Sequence, residues 1–211
     1  MKDAIKAAKE ADRLADLIEL RMDYLRESGL AILLQGRQKP FIVTNRRKEE
    51  GGKYWMNERR RVGILEEAIE LGAEFVDVEV GTERSLLQDL IANKKKTQVI
   101  LSFHDFQGTP SQGELKKLYE RMARWEPNFV KIATFANSWE DNLRILSLIP
   151  DMGKKNHKIV AFCMGERGKM SRIFSPLMGA AWTYTSLGKN RASAPGQLTA
   201  WEMMDIWERL K

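Results

Sequence analysis

Lys131 lies inside the apolar run FVKIATF, between Val130 and Ile132. A lysine embedded in this way is desolvated, which lowers its pKa and makes the neutral amine available. A neutral amine can add to a carbonyl and form a Schiff base. Lys131 could instead serve only as a counter-ion to Asp77 or Glu79. His104, near the end of QVILSFHDF, is the natural acid–base group beside such a lysine, because an imidazole titrates close to neutrality. Other charges recur where apolar residues are expected. Glu19 and Arg21 alternate with Ile18, Leu20 and Met22, and Asp77 and Glu79 alternate with Val76, Val78 and Val80. Arg46 ends FIVTNR, and Asp105 follows His104. Buried charges must find partners or shift their pKa. An internal ion-pair network would explain any one of them; their recurrence in five runs points to a site.

The elements that must carry these groups alternate along the chain. Strand-like runs fall at 17–23, 41–46, 75–80, 98–106, 129–135, 158–165 and 180–188. Most are rich in Val, Ile, Phe and Thr. Helical patterns lie between them, and Ser111 with Glu114 reads as a capping box, with Ser138 and Asp141 a weaker relative. Helices also open and close the chain, and no Pro-, Gly- or Ser-rich linker divides it. Residues 1–211 are therefore expected to form one α/β domain with parallel strands, either an open doubly wound sheet or a barrel. No G-x-G-x-x-G follows the first strand, and seven strand–helix units favour the barrel. Most of the charged groups sit toward the C-terminal ends of their strands, where barrel active sites form.

Composition narrows the chemistry. Hydrophobic residues at 43% and charged residues at 30% exclude a disordered chain. No apolar run is long enough for a membrane span, and the N-terminus is not a secretory signal. A single cysteine, Cys163, and two histidines leave no ligand set for a cysteine or multi-histidine metal centre, so no metal is expected. The lone cysteine also suits a reducing compartment, and Cys163 reads as a buried strand thiol. The net charge of +6 suits nucleic acid or an anionic small molecule. RRK at 46–48 and ERRR at 58–61 could form a nucleic-acid patch, but Glu49 and Glu50 interrupt the run, and a solvated helix face is the favoured reading. GERGKMS at 165–171 lacks phosphate-loop spacing, and its glycines read as loop mobility. Trp201, Met204, Ile206 and Leu210 read as a core-facing stripe, while Trp207 and Met203 leave a dimer contact open. His157, in a polar run, reads as solvated.

Taken in order, the motifs resemble type I 3-dehydroquinate dehydratases from about residue 15 to the end. ELRMD (19–23) is similar to that family's E-x-R-x-D strand, and NRRKEEGG (45–52) to its arginine–glutamate–glycine-glycine loop. SFHDF (102–106) resembles the strand of the catalytic histidine, and VKIA (130–133) that of the imine lysine. GKMSR (168–172) resembles the segment of the carboxylate-binding arginine, and ASAPGQ (192–197) the lid loop.

The resemblance implies a (β/α)8 TIM-type barrel and syn dehydration of 3-dehydroquinate to 3-dehydroshikimate in the shikimate pathway. It makes Lys131 the imine-forming residue, His104 the acid–base group and Glu50 the carboxylate that orients the histidine. Arg172 would grip the substrate carboxylate, and Glu19, Arg21, Arg46, Ser193 and Gln197 would complete substrate binding. Asp77 and Glu79 would balance Arg21, Arg46 or Lys131. The resemblance implies no cofactor, a small anionic substrate rather than nucleic acid or membrane, and a cytoplasmic homodimer. The alternatives are a Schiff-base aldolase on the same barrel, or a basic nucleic-acid-binding module. Family members begin with a strand before the first helix, whereas this chain begins at MKDAIKAAKE. The barrel is accordingly expected to lack its first strand, with a gap or a substitute strand between 17–23 and 180–188.

Overall fold

The computed structural model describes residues 2–25, 29–53, 57–152 and 158–210. His157 lies outside them. The chain divides into two compact units, Met1–Ser102 and Phe103–Lys211. No helix among the described residues is long and apolar enough to cross a membrane.

In the first unit, α1 (Lys2–Ala11), β1 (Ile18–Arg21), α2 (Leu30–Gln35), β2 (Phe41–Thr44), α3 (Glu58–Glu70), β3 (Phe75–Glu79) and α4 (Arg84–Ala92) follow one another, and β4 (Gln98–His104) begins there. The strands pair in parallel, β1 with β2, β2 with β3 and β3 with β4. Each is short, so the alternation of side chains decides what the sheet can bury. Val76 and Val78 take one face, and the buried faces of α3 (Val62, Leu65, Ala68, Ile69) and α4 (Leu86, Leu87, Leu90) supply apolar packing. Register aligns Arg21 with Thr44, Thr44 with Asp77, and Glu79 with Ser102, so the opposite face carries a polar layer near the strand ends. The side chain of Asn57 caps α3 by accepting from the Arg60 amide at 3.0 Å.

In the second unit, α5 (Gln112–Ala123), β5 (Phe129–Phe135), α6 (Glu140–Met152), β6 (Lys158–Met164), α7 (Lys169–Phe174) and α8 (Ala200–Arg209) follow. β5 and β6 pair in parallel over seven residues, from Phe129↔Lys158 to Phe135↔Met164. The Ser111–Glu114 capping box forms at α5, and a second box, Thr199–Glu202, starts α8. At α6 the Asp141 half is made: Asp141 accepts from the amides of Asn137 and Ser138 at 2.7 and 2.9 Å.

Six of the seven expected strands form. The run 180–188 does not become a strand. The Ala181 N–H donates to Ile159 at 2.8 Å, Ser186 makes an isolated bridge with Thr199, and no ladder follows among the described residues. Its aromatic residues serve packing instead: Trp182 meets Phe129 at 4.7 Å between ring centroids, and Tyr184 meets Phe162 at 5.8 Å. The expected stripe on α8 is also corrected. Trp201, Met204 and Leu210 are exposed, while Ala200 and Met203 are buried and Trp207 donates to the Ile173 carbonyl at 3.0 Å.

Candidate active site

The first unit gathers charges at the ends of β2 and β3. Arg46 is 3% exposed, and both Asp77 and Glu79 are fully buried. The Arg46 guanidinium donates to both Asp77 oxygens, at 2.9 and 2.8 Å, and to Glu79 Oε1 at 2.6 Å. It also donates to the Ser102 hydroxyl at 2.8 Å, which in turn donates a hydrogen bond to Asp77 at 2.6 Å. The other oxygen of Glu79 accepts from Arg61 Nη1 at 2.6 Å. Arg61 further donates to the Asn45 carbonyl, Thr82 Oγ1 and the Glu58 carboxylate. Burial works against the Arg46 charge, but Asp77 and Glu79 outweigh it and hold the pKa well above its ordinary value. The ERRR stretch is thus not wholly a solvated face. Arg59 and Arg60 are exposed, whereas Arg61 turns inward.

Glu19 and Arg21 flank this cluster from β1. Glu19 accepts from Thr44 Oγ1 at 2.8 Å. Arg21 grips Asp23 in bidentate fashion at 2.8 and 2.7 Å. Asp23 also accepts from the amides of Lys53, at 3.0 Å, and Arg46, at 3.4 Å. Burial opposes its charge, but Arg21 and these amides win, and its pKa falls below the usual carboxylate range. Asp23 therefore clamps both ends of the segment between Arg46 and Lys53, which holds Glu50 in the 3₁₀ turn Lys48–Glu50. Two glycines finish that turn for steric reasons. Gly51 takes φ +82°, and a Cβ on Gly52 would lie 1.9 Å from the Arg46 carbonyl oxygen.

The second unit holds the nucleophile candidate. Lys131 is 3% exposed and lies on the β5 face that also carries Phe129 and Ala133. Its Nζ stands 4.2 Å from the centroid of the Tyr184 ring. His104 is half-buried at the end of β4. The next residue anchors it: the Asp105 amide donates to the Ala133 carbonyl at 2.9 Å, and the Asp105 carboxylate accepts from the amides of Gln107 and Gly108.

Arg172 is fully buried on α7, with its guanidinium carbon 4.4 Å from the centroid of the Phe162 ring. Its Nη2 donates to the Pro195 carbonyl at 3.4 Å, while Nε and Nη1 have no hydrogen-bond partner among the described residues. Burial pulls its pKa down from the ordinary arginine value to about 10. The segment that carries Arg172 is pinned. Asn142 donates to the Arg167 carbonyl at 3.0 Å and accepts from the Ser171 amide at 3.1 Å, and the Ser171 hydroxyl accepts from the Cys163 amide at 2.7 Å. A Cβ on Gly168 would lie 2.4 Å from the Met164 carbonyl oxygen. That glycine serves close approach to β6, not the loop mobility expected of it. Ser193 and Gln197 meet each other, with the Ser193 amide donating to Gln197 Oε1 at 2.8 Å. Their loop is held down as the Pro195 carbonyl accepts from Gly165 N–H at 3.1 Å.

The first unit thus gathers buried charges at its strand ends, and the second buries Lys131 within β5 and Arg172 on α7. A family model described as type I 3-dehydroquinase matches residues 1–211. The chain belongs to the type I 3-dehydroquinase family. It is 40% identical over 195 residues to a 3-dehydroquinate dehydratase of Dehalococcoides mccartyi, covering 92% of this chain and 85% of the relative. It is 37% identical over 213 residues to that of Methanococcus maripaludis, covering 100% and 95%. A solved type I 3-dehydroquinate dehydratase from Clostridium difficile, with covalently modified comenic acid, superposes with a TM-score of 0.89. That match is 26% identical and covers 99% of this chain and 87% of the other.

For this type I 3-dehydroquinase, the candidate residues fall into the two units as the motifs do. Glu19, Arg21, Arg46 and Glu50 belong to the first, and His104, Lys131, Arg172, Ser193 and Gln197 to the second. Sequence reading missed Arg61, hidden in a basic run, and Tyr184, read only as part of a strand. It also missed Asn142, which holds the Arg172 segment. The apolar spacing of α3 was the available signal, because Arg61 stands one and two turns before the buried Leu65 and Ala68 on the same face.

Proposed function

We infer that this chain is a hydro-lyase that dehydrates 3-dehydroquinate to 3-dehydroshikimate by syn elimination, in the shikimate pathway, through a Schiff base on Lys131. The observation that carries the reading is a lysine 3% exposed in the middle of β5, in a chain of the type I 3-dehydroquinase family. The Lys131 amine adds to the ketone, and water leaves to give a cationic imine. That imine draws electrons from the neighbouring carbon. His104 takes the proton released there, the enamine expels the hydroxyl, and His104 returns the proton to it as water. Such acid–base help is worth about 10²–10⁴-fold. Hydrolysis of the imine then releases product and restores the amine.

The other assignments follow the resemblance. Glu50 sets the tautomer of the acid–base histidine. Glu19, Arg21, Arg46, Ser193 and Gln197 bind the substrate's hydroxyl and carboxylate groups. The family plan extends to a (β/α)8-type barrel as one domain over residues 1–211, working as a cytoplasmic homodimer on a small anionic substrate rather than on nucleic acid or membrane. No cofactor or metal enters this scheme. The aldolase alternative loses its ground with the family membership.

Borohydride reduction in the presence of 3-dehydroquinate tests the reading. Peptide mapping should place a reduced adduct on Lys131, and its absence there would sink the mechanism. Growth of ultraviolet absorbance from the conjugated product reports turnover directly.

Arg172 supports a second expectation. A buried guanidinium with two nitrogens lacking hydrogen-bond partners suits a carboxylate. Arg172→Met should raise KM for 3-dehydroquinate about 10- to 100-fold, the value of hydrogen bonds to a charged group. The same change removes a desolvated cation, so thermal stability should rise, by up to about 3 kcal/mol for a pKa brought down to about 10. In the unaltered enzyme, KM should climb as pH rises through about 10, where the guanidinium loses its charge. An Arg172→Met enzyme with ordinary KM and lowered stability would make Arg172 a structural residue.

A further inference from the structure

Nζ of Lys131 carries different charges during the reaction inferred above: neutral as a nucleophile, positive as an imine. What faces this nitrogen therefore matters. The Tyr184 ring presents its face to Nζ at 4.2 Å from the centroid. The negative face of an aromatic ring attracts a cation, and more strongly where water is excluded, as at this 3%-exposed lysine. The ring is held in place from two sides. Tyr184 packs on Phe162 at 5.8 Å, and Trp182, two residues earlier, packs on Phe129 at 4.7 Å. Phe162 in turn lies under the Arg172 guanidinium. Ala181 and Ser186 tie the segment at each end, through Ala181 N–H to Ile159 and Ser186 N–H to Leu198. The run 180–188 gives up its strand ladder, and in exchange it presents an aromatic face to the reacting nitrogen.

We propose that the face of Tyr184 stabilises the positive charge on the imine nitrogen of Lys131, which makes Tyr184 a further residue of this reaction. The inference rests on the Schiff-base reading. The ring forms and breaks no bond. When Nζ bonds to the ketone carbon and the oxygen leaves as water, the nitrogen becomes cationic against the ring. The charge disappears as the enamine forms and returns when the hydroxyl departs. The face thus favours the two steps that generate the cation.

The test uses the whole chain and compares variants at the maximum of each one's kcat/KM profile. Tyr184→Leu should lower kcat/KM about 5- to 30-fold, and Tyr184→Phe should stay within about 2-fold of the unaltered enzyme. Phenylalanine analogues of increasing fluorination, placed at position 184, keep the shape and drain the ring face. Their rates should fall stepwise with fluorine number, which a merely space-filling ring would not produce. A flat fluorination series, or full activity in Tyr184→Leu, overturns the proposal while leaving the Schiff base intact. Failure of the unaltered enzyme to yield a borohydride adduct at Lys131 overturns both.

Discussion

Lys131→Met is expected to fold normally and to lose turnover by on the order of 10⁴- to 10⁶-fold, the scale seen when a covalent nucleophile is removed. Methionine matches the length of the lysine stem and suits a site beside Ala133 and the paired Val160. Folding should hold or improve, because a buried amine is replaced by an apolar group. Absorbance of the conjugated product gives the rate, and borohydride treatment should leave no substrate adduct. His104→Ala is the contrasting variant. It retains the amine, so it should still trap an imine while turning over about 10²- to 10⁴-fold more slowly. If Lys131→Met keeps more than a hundredth of the activity, the elimination does not depend on an imine at this residue. If His104→Ala fails to trap while folding normally, the histidine acts before the imine and not after it.

Arg46→Met is expected to destabilise the protein by about 3–5 kcal/mol, because removing one partner strands the other buried charge. Asp77 would lose two hydrogen bonds from Arg46 and Glu79 one, though Arg61 still holds Glu79 and the Ser102 hydroxyl still reaches Asp77. This network is not a surface ion pair of marginal worth: Arg46, Arg61, Asp77 and Glu79 are all nearly or fully buried. A double variant, Arg46→Met with Asp77→Leu, should regain much of the loss, since both charges leave together. Urea unfolding at neutral pH measures both variants against the unaltered protein. A loss below about 1 kcal/mol in Arg46→Met would mean that water or another cation reaches Asp77 when the arginine is gone.

Much of this site was legible before any fold was drawn. Charges alternating with valine and isoleucine in 17–23 and 75–80 forced a polar face onto short strands, because a strand's side chains alternate strictly. The order of six motifs, from ELRMD to ASAPGQ, carried the family, and the match over residues 1–211 agrees with it. The glycines of NRRKEEGG were present as letters, but their reason was not. Only the fold brings the Arg46 carbonyl to where a Gly52 side chain would stand.

What a sequence determines by itself here is set by local period: the six runs that do become strands, the capping box at Ser111, the burial of Lys131 and Cys163, and the polar edge of β1 and β3. Tertiary structure decided the partners. Arg46 meets Asp77 across 31 positions and Ser102 across 56, and Arg61 meets Glu79 across 18. No periodicity encodes which arginine of RRK or ERRR turns inward, because that depends on sheet register and on which carboxylate is already desolvated. Tyr184 is the same case. Its aromatic run satisfied β-propensity, yet the ring packs on Phe162 and faces Lys131, and the backbone makes no ladder. β-propensity measures how well a side chain fits a half-buried surface, and such a surface can be covered without pairing the backbone.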